Sequence, residues 1–262
     1  MNKYAAWDIE IYKQLGENFD NWPEQVPLGI TCASVCFSES TAGEETTVHK
    51  TWWGGSELGQ LNDWMDASEM TAMLAYLDTL VQRGYKLFTW NGLSFDWHVL
   101  YHELEDPTLR ASIKQHALEH CDMMFQFFCD RGYPLGLDAV AKGMGLAGKT
   151  EGMDGSLAPI LWSADQAALN QLGSFRWANM SLVDRRRKVI EYVEQDALTT
   201  YKIAQRAGLL HRWNWTSRSG RPQIYNISRW MSVREAMQLP LPDTSWMGRP
   251  MRRERFYRWA VV

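Results

Sequence analysis

Cysteine is scarce in this chain. Its four thiols, Cys32, Cys36, Cys121 and Cys129, show no CxxC spacing and are too few for a disulfide scaffold, which points to buried thiols in a reducing compartment. Long apolar runs are missing as well. No segment approaches the roughly 18 apolar residues needed to span a bilayer. The opening stretch, MNKYAAWDIEIYK, carries charge where a secretory leader would need an apolar core of roughly 7–15 residues. A cytoplasmic protein with no membrane partner is expected. The 262 residues, 45% apolar and 22% charged, suffice for one large core, or for one domain with a substantial extension.

Tryptophan, by contrast, is abundant at 14 copies, more than a core alone calls for, so some must sit on half-buried surfaces or in a groove. Charge is divided unevenly. Arg206–Val262 holds eleven Arg and three acids, a balance of +8, so with a net charge of −4 the preceding 205 residues carry −12. An acidic body with a basic tail suits a cation-dependent site whose polyanionic substrate is held by a separate arm.

Short apolar runs with aromatic, β-branched and small residues, set off by turn residues, predict strands over Lys3–Glu10, Leu28–Phe37, Thr46–Trp53 and Lys86–Trp90. A 3.6-residue apolar period predicts a helix over Ser68–Arg83, capped by Ser68 and closed by Gly84. Further helices are expected over Phe95–Glu105, from Asp122 through Cys129 to a stop at Gly132, over Leu137–Lys142, over Ala164–Leu172 with Ser163 as cap, and over Leu182–Ala207. This order describes an α/β fold, a mixed central β-sheet flanked by helices. Two parts are expected: residues 1–207 as the main domain, and 208–262 as a basic, Trp-rich extension packed on or adjoining it. The tail has two readings, a stacking platform for unpaired bases with phosphate contacts, or Trp residues packing an arm whose Arg residues stay solvated.

Three acidic signatures carry the chemistry: Asp8-Ile9-Glu10, Asn91-Gly92-Leu93-Ser94-Phe95-Asp96, and Tyr192-Val193-Glu194-Gln195-Asp196. Asp8 and Glu10 alternate on a strand and point to one side. Asp96 follows a strand-to-loop turn, where α/β proteins tend to place ligands. Tyr192 and Asp196 are four apart on a helix and share a face. Each piece alone reads equally as a solvated strand end, a helix cap or a helix surface. Four converging carboxylates would repel one another unless cations lay between them, and paired divalent cations cleave phosphodiesters.

In this order the signatures resemble the DEDDy-type DnaQ-like 3′–5′ exonucleases of the ribonuclease H-like superfamily, over about residues 3–207, and look most similar to the proofreading domain of family B DNA polymerases standing alone. The resemblance implies a ribonuclease H-like fold, with Asp8, Glu10, Asp96 and Asp196 as metal ligands and Tyr192 orienting the attacking water. It implies one cation held by Asp8, Glu10 and Asp196, and a second held mainly by Asp8 and Asp96. The sister subtype would place His five positions before the last Asp, where this chain has Glu191. Oxygen-only ligands favour Mg²⁺ or Mn²⁺ over zinc. The implied partners are single-stranded DNA or RNA 3′ ends, DNA favoured, with nucleoside 5′-monophosphates released. Rival readings are an RNase D-like RNA-processing exonuclease and a non-catalytic nucleic-acid-binding module on the same fold.

Other motifs compete. Gly143–Thr150, GMGLAGKT, formally matches two phosphate-binding patterns, but no apolar strand precedes it, so a helix C-cap and loop is the expectation. Asn91, His98 and Lys149 are candidate substrate contacts. Asp122, Asp138 and Asp154 read as caps and loop acids.

Overall fold

Apolar and small side chains alternate with two acids along strand β1 (Tyr4–Ile11), and this strand lies at the centre of the sheet. The structure is a computed structural model describing residues 3–15, 19–41, 44–56, 59–148, 150 and 152–262. β2 (Ile30–Thr41) and β3 (Glu44–Trp53) form an antiparallel hairpin, β4 (Lys86–Thr89) and the two-residue β5 (Cys121–Asp122) run parallel to β1, and the order across the sheet is β3-β2-β1-β4-β5. The expected α/β architecture, a mixed sheet flanked by helices, is what forms.

One face of β1 presents Ala5, Trp7, Ile9 and Ile11 to a large apolar core shared with α1 (Ala67–Gln82), α2 (Asp96–Glu103), α3 (Pro107–Glu119) and α4 (Met123–Arg131). Trp7 and Trp97, both fully buried, meet edge to face there with ring centroids 4.4 Å apart. The helices α5 (Leu137–Gly143), α6 (Leu157–Trp162), α7 (Gln166–Gln171) and α8 (Phe175–Ala178) lead to the long α9 (Leu182–Leu210). The opposite sheet face, with Ala6 and Cys36, packs against Ala197, Tyr201, Ala204 and Ala207 of α9.

Several local expectations need correction. Asp66, not Ser68, caps α1: its carboxylate accepts from Glu69 N–H at 2.8 Å while Glu69 accepts from Asp66 N–H at 2.8 Å, two donors satisfied reciprocally. Ser163 ends α6, and Asp165 caps α7. Pro107, just past the helix expected over Phe95–Glu105, occupies the first turn of a further helix, α3, where its missing N–H costs nothing. α9 runs to Leu210, three residues past the expected end.

Beyond α9 the tail forms a hairpin, β6 (Arg212–Thr216) with β7 (Pro222–Asn226), then the short α10 (Val233–Ala236) and the terminal α11 (Glu254–Val261). Trp213, Trp215, Tyr225 and Trp230 are buried in the core beneath α9, and Phe256 and Ala260 in the core on the other face. Those Trp residues pack the tail onto the body; they offer no stacking platform. The hairpin crosses α5 so closely that a Cβ on Gly143 would lie 2.1 Å from the carbonyl oxygen of Asn214. No helix among the described residues is long and apolar enough to cross a membrane.

Gly143→Ala should therefore destabilise the protein by about 1–3 kcal/mol or more through overpacking, whereas Gly248→Ala, with open space around its Cβ position, should leave the denaturation midpoint near wild type. Equal midpoints for the two variants would show that the hairpin does not depend on the close crossing.

Candidate active site

Asp8 and Glu10 stand on the α9 side of β1, opposite Ser34 and Cys32 of β2. The β1–β2 register shifts between Glu10 and Ile11, a bulge of the kind that re-aims side chains beside functional sites. β4 accompanies β1 only as far as Ala6. Asp8 and Glu10 thus lie beyond the carboxyl end of β4, in the crevice where open α/β sheets bind ligands.

The chain leaving β4 must turn sharply to bring Asp96 into that crevice. Asn91 adopts a positive φ of 70°, a conformation Asn tolerates, and Gly92 passes so close to Thr89 that a Cβ there would sit 2.6 Å from its side chain. Asp122 holds the turn. Its carboxylate accepts from Asn91 N–H at 3.0 Å and Leu93 N–H at 2.9 Å, and caps α4 by accepting from Phe125 N–H at 2.9 Å. From the far side, Trp259 of α11 donates its indole N–H to Leu93 O at 2.9 Å. Asp96 then opens α2 and accepts from Ile9 N–H at 3.1 Å through Oδ1, tying the second signature to the first. Burial pushes its carboxyl up to about 7 despite the N–H bonds that favour the ionised form, with Asp122 and Asp196 adding repulsion.

The third signature comes from α9, whose entry is fastened by Arg186. That guanidinium is buried, donates to Trp162 O at 2.9 Å, Leu61 O and Asp63, and lies over the Trp162 ring at 5.3 Å. Two turns on, Tyr192 is 1% exposed and Asp196 6%. Burial, then the charges of Glu10, Asp196 and Asp8, raise the Tyr192 phenol well above its ordinary value, and its hydrogen bond to Asp196 works in the same direction. Glu194 points instead to β3, accepting from Thr51 Oγ1 at 2.7 Å, and Glu191 lies outside, paired with Lys188.

Asp8, Glu10, Asp96, Tyr192 and Asp196 all line a single cavity of about 720 Å³. Asn91 and His98 line it too. His98 stacks on Trp259, centroids 4.6 Å apart, and packs edge-on to Trp22. Burial, aided by His102, lowers it to about 3, so it is neutral near pH 7 and too weak a base to take a proton there. Lys149 lies outside the described residues. Asp138 pairs with Lys142 at 2.7 Å, and Asp154 accepts from Ser156 N–H at 2.8 Å and Leu157 N–H at 3.1 Å. Of the glycines that mimic phosphate-binding motifs, Gly143 ends α5 and Gly145 turns the chain just past it at a positive φ of 66°. Sequence reasoning missed the cavity's cations Arg218 and Arg255, two among the ten Arg of residues 208–262, and the part Asp122 plays in shaping the Asp96 turn.

The donor set is entirely hard oxygen, which fits Mg²⁺ or Mn²⁺. Among the described residues, however, no three His, Cys, Asp or Glu side chains are disposed to hold a metal ion. The acids line the cavity without forming a ready coordination sphere.

A five-stranded mixed sheet flanked by helices, with acids gathered beyond its strand ends, defines a ribonuclease H-like α/β protein. The sequence model of the RNase H superfamily matches residues 39–208, more than half of the chain, and the protein belongs to that superfamily. Its domain is of the nuclease type, a class of hydrolase that usually needs divalent metals. The match begins after β1 and so leaves Asp8 and Glu10 outside it. No curated protein matches the chain.

Asp122→Asn removes one of the two oxygens that hold the turn and sets an amide N–H against a backbone N–H. It should cost about 1–3 kcal/mol in urea or thermal unfolding. Stability equal to wild type would show that the turn does not rest on this carboxylate.

Proposed function

We propose that the protein is a two-metal-dependent 3′–5′ exonuclease of the DEDDy type, acting on single-stranded ends with DNA favoured and releasing nucleoside 5′-monophosphates. One observation carries the reading: Asp8, Glu10, Asp96, Tyr192 and Asp196, from a strand, a turn and a late helix, line the same cavity. That all four acids of the signature are present weighs against a non-catalytic binding module on the same fold.

In this reading Asp8, Glu10 and Asp196, which are not disposed around an ion position as they stand, would close on one divalent cation, and Asp8 with Asp96 would hold a second. When bound, the pair would acidify a water and shield the oxygen that leaves the cleaved phosphodiester. The protein's own groups supply position. Tyr192 remains protonated because its phenol is buried among Glu10, Asp196 and Asp8; its single O–H goes to Asp196, and its oxygen is left to accept a hydrogen bond from the nucleophilic water and orient it without taking its proton. Asp196, hydrogen-bonded to that phenol, fixes its direction. The bond from Ile9 N–H holds Asp96 against β1, keeping the second and first signatures at one end of the cavity. Neutral His98, stacked on Trp259, forms a flat wall to the site.

Single-stranded DNA and RNA, blocked in turn at each end, should be shortened only from a free 3′ end, only with Mg²⁺ or Mn²⁺, and not with chelator. Activity without metal, or none on any 3′ end, overturns the reading. Asp8→Ala and Asp196→Ala should abolish turnover in a folded protein. Tyr192→Phe should lower kcat about tenfold or more with little change in binding, the cost of losing a hydrogen bond that positions the nucleophile. A Phe variant with wild-type kcat would remove the phenol from the mechanism.

A further inference from the structure

The cavity that gathers the acids also gathers cations, and two of them arise beyond residue 208, where the superfamily match ends. Lys13, Arg218 and Arg255 line it. Arg218 sits on the turn joining β6 to β7. Ser217 N–H donates to Arg221 O and Gly220 N–H to Ser217 O, both at 2.9 Å, and Gly220 takes the positive φ of 77° that the turn requires. The hairpin behind it is anchored by Trp213, Trp215 and Tyr225 against Phe127. Arg255 sits in the first turn of α11, between buried Arg253 and buried Phe256. Arg253 is wholly structural: its guanidinium donates to the carbonyls of Cys129, Met237, Leu239 and Pro240 at 2.7–3.2 Å. One turn further, Trp259 grips Leu93 O in the turn that carries Asp96.

The tail's arginines thus divide by task. Arg253 pins the tail, and Arg229 and Arg234 pair with Glu235 and Glu119. Arg218 and Arg255 are exposed at the cavity, each on an element locked to the body. A nucleic-acid strand approaching four carboxylates meets repulsion from them and from a body of charge −12. Two guanidiniums on fixed supports at the same cavity counter that repulsion and suit phosphate geometry.

We propose that Arg218 and Arg255 form a phosphate-binding edge of the active cavity, through which the C-terminal extension grips the sugar-phosphate backbone of the strand whose end lies among the acids. This rests on the nuclease reading and adds the substrate grip to it. The contacts are to backbone, so they position the strand without reading its sequence.

Binding separates the two ideas. Fluorescein-labelled single-stranded oligo-dT and oligo-U, ending in 3′ phosphorothioate linkages, would be titrated by anisotropy in Mg²⁺ at several salt concentrations. Arg218→Gln and Arg255→Gln should each weaken binding about three- to tenfold and reduce the salt slope by about 0.7, the value for one single-strand phosphate. Arg→Lys should restore much of the slope, and Arg249→Gln, an exposed tail arginine outside the cavity lining, should match wild type. On cleavable substrate the loss should fall on KM more than kcat. Gln variants that bind like wild type, or no more weakly than Arg249→Gln, overturn the proposal, as does an unchanged salt slope. If wild type binds and the Gln variants weaken binding while no 3′ end is hydrolysed, the grip stands and the exonuclease reading falls.

Discussion

The packing of α9 across the acid-bearing face of β1 is the contact on which the rest depends. It lays over Asp8 and Glu10 a helix that itself contributes Tyr192 and Asp196, so Glu10 and Asp196 end up buried together with Asp8 half-buried beside them. Gathering carboxylates out of water is unfavourable unless something holds the elements in place and a cation or proton offsets the charge. The holding is done by apolar contact along the helix and by Arg186, whose buried guanidinium ties the start of α9 to α6 and to the loop after β3. The raised carboxyl of Asp96 and the raised phenol of Tyr192 are the electrostatic record of that gathering.

Asp96 reaches the same place by a separate route. The turn after β4 accepts a positive φ at Asn91 and a crowded Gly92, conformations that need bracing. Asp122 braces it from beneath and Trp259 from the C-terminal helix. A residue with the sequence appearance of a helix cap therefore does two jobs, since one carboxylate has two oxygens and can serve a cap and a turn at once.

The tail beyond α9 is bound into both cores. Its aromatic side chains lie under α9 and against Phe125 and Phe128, and buried Arg253 satisfies four carbonyls that link it to α4 and the segment after α10. Two arginines from this segment reach the cavity because the segment is fixed, and a fixed cation loses less entropy on meeting a phosphate than one on a loose arm.

Much of this was legible in the linear chain. The short apolar, aromatic-bearing run of β1, the apolar period of α1 and the Asp122-to-Gly132 frame of α4 predicted their elements closely, because local composition and period mark what is buried. The spacing Asp8-x-Glu10 and Tyr192-x-x-x-Asp196 determined that each pair shares a side, a consequence of strand and helix geometry alone. Only the tertiary structure decided that those sides face one another, that Asp122 supports the Asp96 turn, that Trp213, Trp215 and Trp230 are core, and that Arg218 and Arg255 rather than their neighbours reach the cavity. Those outcomes depend on which elements cross and how closely, as at Gly143 and Asn214. They are contacts between residues far apart in the chain, set by packing, and no local period or propensity encodes them.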